Sequence, residues 1–320
     1  VSPPHAPYIR HPFGITTVDA EYFRPGFASV HVIQRDGRAA IVDTGANSSV
    51  PLVLRALTEL GIEPATVDWL ILTHVHLDHA GGAGVLLQQL PAARVIVHPR
   101  GAPHLIDPQR LQAASIAVYG ADLFAKLYGD LLPIPAACVQ STVDGETLRL
   151  GSSELTILHT PGHAMHHQVL FDHSARAVFT GDTFGLSYRE MDTENGVFIL
   201  PTTTPTQFDP EQLLDSVRRV AELKPESVYL THFGRVTGVE RLAADLREQI
   251  QRLVELARAH ALADDRHTRI RSALREELVV RAQAHGIADP AAVVDSVLGP
   301  DLELNTQGLI AWLARTAKQA

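Results

Sequence analysis

The sequence predicts a layered α/β domain with a helical extension behind it, on three observations. Short β-branched runs alternate with helical stretches through the first 235 of the 320 residues. Several of those runs end abruptly in histidine or aspartate. Beyond about residue 240 no strand pattern recurs, and apolar positions fall at helical spacing.

Taken in order, the elements rest on local signals. Residues 28–35 and 39–42 read as two strands joined by the Asp36-Gly37 turn, a strong hairpin signal. Residues 48–60 read as a helix closed by Gly61, and 69–73 as a compact buried strand. Residues 94–98 form another short strand, and 105–128 have helical spacing broken at Gly120 and Gly129. Short runs at 146–150, 154–159, 168–172 and 177–180 follow, divided by turns. Residues 212–223 are an amphipathic helix, 227–231 a strand and 239–259 a long helix. Further helices are expected over 269–285 and 307–318, with Ala288-Asp289-Pro290 as a helix start. The expected division is a domain over 1–240 and a helical extension over 241–320, with a soft boundary between 240 and 262.

Composition narrows the class. Hydrophobic residues make up 45% and charged residues 20%, as in a folded chain rather than a disordered one. A net charge of −9 argues, weakly, against a nucleic-acid partner, because phosphate binding needs a basic face. Cys138 is the single cysteine, so no intrachain disulfide and no cysteine-rich zinc site can form. A reducing, cytoplasmic setting is therefore the expectation. No run is apolar for the roughly 18 residues that a membrane span needs. The opening 1–12, with three prolines before Ile9, does not read as a signal peptide. With Val1 as the first residue, a leader removed ahead of it stays open.

The 17 histidines matter through their positions. In Thr73-His74-Val75-His76-Leu77-Asp78-His79-Ala80-Gly81-Gly82 a buried strand runs straight into three histidines and an aspartate. Four such side chains are costly to bury without hydrogen bonds or a cation, and imidazole and carboxylate suit zinc, iron and manganese. Residues two apart at a strand end project to one side, so His74 and His76 can reach one ion. The following turn can send Asp78 and His79 to a second. Three more strands end alike, in Thr160-Pro161-Gly162-His163, in Gly181-Asp182 and in His232. A lone histidine after a strand is more often structural than a ligand. Three such endings beside the first motif outweigh that.

These motifs resemble those of the metallo-β-lactamase superfamily: His-x-His-x-Asp-His at 74–79, Thr-Pro-Gly-His at 160–163, Gly-Asp at 181–182 and the final His232, with Asp43-Thr44-Gly45 as an early turn. They come in the family's order over roughly residues 12 to 235. The resemblance implies an αβ/βα sandwich with outer helices. It also implies that His74, His76 and His163 hold one metal ion, that Asp78, His79 and His232 hold a second, and that Asp182 bridges both. A bridging carboxylate places the chain nearer glyoxalase II-like thioesterases, lactonases and phosphodiesterases than antibiotic-degrading members. Zinc is the metal expected first, with iron or manganese as alternatives.

Two ions about 3.5–4 Å apart can share a hydroxide formed near neutral pH and polarise a substrate oxygen. The expected chemistry is therefore hydrolysis of an ester, lactone, thioester or phosphodiester in a small molecule, with Asp78 or Asp182 as proton shuttle. No Gly-x-Ser-x-Gly, P-loop or dinucleotide fingerprint competes, and Gly81-Gly82-Ala83-Gly84 reads as close packing at a helix start. His167, four residues after His163, is expected to orient the site rather than coordinate, and His166 to face solvent or substrate. His98, His104, His260, His267 and His285 read as structural or surface residues. Residues 105–128 and 183–206 are candidate pocket walls. Tyr188 and Arg189 could orient a carbonyl or an anion there, although ordinary loop packing explains them equally well. Thr202-Thr203-Thr204-Pro205 marks a turn-rich loop. Leu242, Leu246, Ile250, Leu253 and Leu256 form an apolar stripe that could support a homodimer, a pattern more often core than interface. Two other classes stay in view: a di-iron oxidoreductase on the same fold, and a non-catalytic metal-binding interaction protein. Seven intact ligand positions argue against the second.

Overall fold

Two sheets account for every strand named among the described residues, 7–203 and 207–318 of the computed structural model, which leaves out the side chains of residues 118 and 119. The first sheet runs in chain order: Tyr8–His11 (β1), Ile15–Asp19 (β2), Ser29–Arg35 (β3), Arg38–Val42 (β4), Val67–Ile71 (β5), Arg94–Val97 (β6) and Val139–Ser141 (β7). β1 to β4 pair antiparallel and β4 to β7 parallel. The second contains Thr147–Leu150 (β8), Ser153–His159 (β9), Gln168–Asp172 (β10), Ala177–Gly181 (β11), Ser227–Leu230 (β12) and Gly234–Val236 (β13), in the order β13-β12-β11-β10-β9-β8. Only β11 and β12 pair parallel there.

The packing explains why these strands read as unbroken apolar runs. Successive strand residues point to opposite faces. Ile33, Val42, Ile71 and Ile96 face inward and pack with Leu155, Ile157, Leu170 and Phe179 of the second sheet. Their neighbours Val32, Ile41, Leu70 and Val95 face outward, against helices Val50–Glu59 (α1), Leu77–Ala80 (α2), Ala83–Leu87 (α3), Ala102–Ile106 (α4), Gln109–Tyr119 (α5) and Ala121–Tyr128 (α6). Both faces of the first sheet are thus covered, and each fully buried Leu, Ile or Val contributes on the order of 1.5–3 kcal/mol. Asp36 and Gly37 have φ of 49° and 75°, the doubly positive pair of the expected hairpin turn.

The chain packs as two units, the first formed by 1–159, 166–181 and 225–237, the second by 160–165, 182–224 and 238–320. All thirteen strands of the described residues belong to the first. The second contains Pro210–Glu222 (α7), Val239–Ala259 (α8), Arg266–Ala284 (α9), Pro290–Val297 (α10) and Gly299–Thr316 (α11). The units cut across chain order, so the division at 240 stays an expectation. Asp209 and Asp289 cap α7 and α10 by accepting from the backbone N–H three residues on, each with proline at the first helical position. Leu242, Leu246 and Ile250 of the stripe are buried within this unit. The apolar face behind the dimer expectation is therefore largely used internally.

Differences from the sequence reading have local causes. The strand expected at 69–73 is Val67–Ile71, because the Thr73 N–H donates to the Asp43 carboxylate instead of continuing the ladder. β7 and β13, three residues each, are too short for a periodic signal. Neither β1 nor β2 alternates: in β1 two exposed residues lie between two half-buried ones, and every residue of β2 is buried. The helical run expected from 105 starts at Ala102 and is cut at Pro108 as well as Gly120. The helices expected over 269–285 and 307–318 start earlier, at Arg266 and Gly299. Thr204 and Pro205, and residues 1–6 of the opening run, lie outside the described residues.

Candidate metal centre

In the first unit the chain leaves β5, an interior strand, at Ile71 and re-enters regular structure as α2 at Leu77, placing 72–76 at the C-terminal end of that strand. His74 is fully buried, and its Nε2 lies 2.7 Å from Nδ1 of His76. Two ring nitrogens that close must share a proton or a cation. A second group gathers Asp78, His79 and His232, whose ligand atoms all lie within 4.8 Å of one another. Nε2 of His232 is 3.3 Å and Nε2 of His79 3.6 Å from the Asp78 carboxylate.

The other ring nitrogens explain this orientation. His79 Nδ1 donates to Asp43 Oδ2 at 2.8 Å, and His232 Nδ1 donates to the Phe27 carbonyl at 2.8 Å. Each ring's proton is thereby held on Nδ1, leaving a lone pair on Nε2, the tautomer a metal ligand needs. Asp43 lies immediately after β4 with φ of 59° and also accepts from Thr73 N–H, Thr73 Oγ1 and Thr231 Oγ1 at 2.8–3.0 Å. Three oriented nitrogen and oxygen donors, with a carboxylate behind one of them, fit a divalent cation.

The second unit contributes a separate pair. His163 follows Gly162, whose φ is 129° and which packs against the Leu213 backbone. Nδ1 of His163 donates to the Thr202 carbonyl at 3.3 Å, and its Nε2 lies 3.3 Å from Asp182 Oδ2. Thr183 Oγ1 donates to the Thr160 carbonyl at 3.1 Å, tying the residue after Asp182 to the Thr-Pro-Gly-His segment. Among the sequence-predicted ligands, the first unit thus brings together His74 with His76, and Asp78 with His79 and His232; the second joins His163 with Asp182.

The remaining candidates have defined places. His167 is fully buried, its ring stacked 4.9 Å from that of His74. His166 is also buried, at 6% exposure rather than in solvent, and its Nδ1 accepts from Val75 N–H at 3.4 Å. Tyr188 is buried in the second unit and donates to Asp301 Oδ1 at 3.3 Å. Arg189 donates to the Ser187 carbonyl at 2.6 Å and pairs with Asp192 at 3.2 Å. Burial lowers the Arg189 pKa from its ordinary value, against the pull of Asp192. The buttress formed by Asp43 and Thr231 is only half visible in the sequence. The Asp-Thr-Gly turn signalled Asp43, whereas nothing local marks Thr231. Some buried histidines serve the fold. His31 on β3 lies beside the Leu230 carbonyl and the Thr17 hydroxyl, and burial pulls its pKa down to about 4.

Comparison with known proteins gives the same family. The Metallo-beta-lactamase superfamily profile matches residues 23–232. Metallo-beta-lactamase fold-containing protein ST1585 of Sulfurisphaera tokodaii is 32% identical over 218 residues, covering 67% of this chain and 75% of its own. Its crystal structure superposes with a TM-score of 0.59 over 75% of this chain and 86% of its own. Metallo-beta-lactamase family protein TTHA1429 of Thermus thermophilus shares the fold at 20% identity, with a TM-score of 0.63 over 95% of this chain and 94% of its own. Hydroxyacylglutathione hydrolase of Salmonella paratyphi A is 30% identical over 152 residues, which span 46% of this chain but only 43% of that enzyme. Two mixed sheets with outer helices, helices at the C-terminal end, and His/Asp groups suited to metal thus coincide with this profile and these relatives, and the chain belongs to the metallo-β-lactamase superfamily.

Proposed function

We propose that the chain is a metal-dependent hydrolase with a dinuclear centre that cleaves an acyl bond, an ester, thioester or lactone, in a small-molecule substrate. The observation that carries the reading is the Asp78, His79 and His232 group, with both imidazoles turned by hydrogen bonds on Nδ1 so that Nε2 faces the carboxylate. By the family's motif order, His74, His76 and His163 would hold one ion, Asp78, His79 and His232 the other, and Asp182 would bridge them. Two such ions, when bound, would supply a nucleophile at neutral pH and an electrophile for the substrate oxygen.

The protein's own residues have definable work. Asp43 and the Phe27 carbonyl hold the tautomers of His79 and His232. Asp78 and Asp182, the carboxylates of the set, are the groups able to carry a proton to a leaving oxygen or sulfur. The acyl class is favoured over phosphodiesters because a relative at 30% identity is named for an acylglutathione substrate.

Metal analysis by mass spectrometry of protein prepared without added metal, with an ester, lactone, thioester and phosphodiester panel, tests the reading. Two equivalents of zinc or manganese and acyl hydrolysis abolished by chelator are expected. Iron at both positions without hydrolysis would replace the hydrolase by redox chemistry. Cleavage of the phosphodiester alone would move the substrate class, and absence of bound metal under every supply would end the proposal.

A further inference from the structure

We propose that Asn305, on the C-terminal helix α11, is a positioning residue that clamps residues 201–203 and so fixes the tautomer and orientation of His163 through the Thr202 carbonyl. Its consequence for metal binding rests on the ligand role proposed above for His163.

The geometry is specific. Asn305 is 4% exposed, and its amide grips two peptide groups one residue apart. Oδ1 accepts from the Thr203 N–H at 2.7 Å, and Nδ2 donates to the Pro201 carbonyl at 3.2 Å. The Thr203 hydroxyl adds bonds to the Asn305 carbonyl and to Oδ1, both at 3.2 Å. Residues 201–203 lie outside any helix or strand, so no ladder fixes their peptide orientation. The Thr203 N–H and the Thr202 carbonyl belong to one planar trans peptide group and point to opposite sides of it. Gripping the Pro201 carbonyl and the Thr203 N–H from one side turns the Thr202 carbonyl to the other, where His163 Nδ1 donates to it.

That last bond, 3.3 Å long, is at the loose end of hydrogen-bond range, so it depends on Thr202 being held. An amide is required, because the clamp needs one donor and one acceptor on the same planar group. The helix beneath is well anchored. Leu302 and Leu309, at i−3 and i+4 from Asn305 on the same face, are buried, and Arg315 bonds the Phe208 carbonyl. In the first unit a carboxylate orients His79 directly; here a helix near the C-terminal end orients His163 through two links.

Histidine ¹⁵N spectra, read without metal and through a zinc titration, test this ring by ring. In wild type His163 should hold its proton on Nδ1. In Asn305→Ala the tautomers should average, and the zinc midpoint at His163 should rise about tenfold, the low end for groups outside the ligand shell. His232 should shift less than about twofold. Asn305→Asp, which keeps the acceptor and loses the donor, should move His163 in the same direction and serves where the alanine variant does not fold. Gln249→Met removes a bond of 2.9 Å to the Ile199 carbonyl, and with it a tether of the same loop that does not reach Thr202. It should leave His163 as in wild type. A folded Asn305 variant with an unchanged His163, or an equal change in Gln249→Met, would overturn the clamp. Loss of the tautomer in a protein whose wild type takes up no zinc would uphold the clamp and refute the ligand reading instead.

Discussion

His79 in the strand-built unit and His163 in the helical unit are held by contrasting means. His232 of the strand-built unit, like His163, donates to a backbone carbonyl. The strand-built unit uses buried side-chain chemistry: Asp43, 1% exposed, accepts four hydrogen bonds and fixes His79 directly. The helical unit uses backbone: the Thr202 carbonyl orients His163, and most of its charged pairs, such as Arg275 with Asp295, lie at the surface. A buried carboxylate is strongly committed to its partners, because losing any of them leaves a desolvated charge. A carbonyl relay involves no charge and depends on how well the chain behind it is held. The strand-built unit should therefore respond sharply to substitution and acid, and the helical unit to changes in packing and capping.

The largest expected effect is Asp43→Ala. It strands the donors of Thr73, Thr231 and His79 and places alanine at a left-handed φ. A loss of about 3–5 kcal/mol is expected in urea unfolding of the metal-free protein. A loss below about 1 kcal/mol would erase the contrast between the units.

Acid comes next. His31 titrates near 4 in the fold, against 6.5 in its absence. Between those values the unfolded chain binds a proton that the folded chain does not, so stability present above pH 6.5 is lost as pH falls toward 4. The loss from this residue alone is about 3 kcal/mol. His31→Gln should flatten the stability curve between pH 6.5 and 4, and an unchanged slope would assign the acid sensitivity elsewhere.

Capping in the helical unit is a smaller effect. The Asp209 carboxylate accepts from the Gln212 N–H at 3.1 Å and from the Gln212 side-chain amide at 2.7 Å, capping α7. Asp209→Ala should cost about 1 kcal/mol by denaturant unfolding. Smallest of all, Arg275→Ala removes a surface pair and should leave the unfolding midpoint where it was. A clear drop would mean that the surface charges of this unit act as a network.

Much of the candidate centre was legible because its candidate ligands cluster along the chain or end recognisable strands. Four of them lie within residues 74–79 after a buried strand, and His163, Asp182 and His232 each follow an apolar run. Harder to see was what orients them. Thr231 lies 188 residues from the Asp43 it supports, and Asn305 is 102 residues from the Thr203 it grips, in a helix whose pattern reads as ordinary packing. Of the two places expected for His166, solvent or substrate, burial removes the first, and two adjacent histidines carry no periodic sign that both are buried.

The α/β class, the superfamily, the order of the ligand motifs and the helical character of the last 80 residues could all be read from the chain alone. Each follows from local rules: strand alternation, helical spacing, turn residues and the spacing of donors along the chain. Three-dimensional packing was needed to settle which nitrogen of His79, His163 and His232 keeps its proton, which peptide groups Asn305 grips, and that Leu242, Leu246 and Ile250 of the stripe on α8 are buried. Those outcomes depend on contacts closed between segments far apart in the chain, from 36 residues for His79 and Asp43 to 205 for His232 and Phe27. No local pattern encodes them, because a donor and its acceptor need share nothing in sequence except that the fold brings them together.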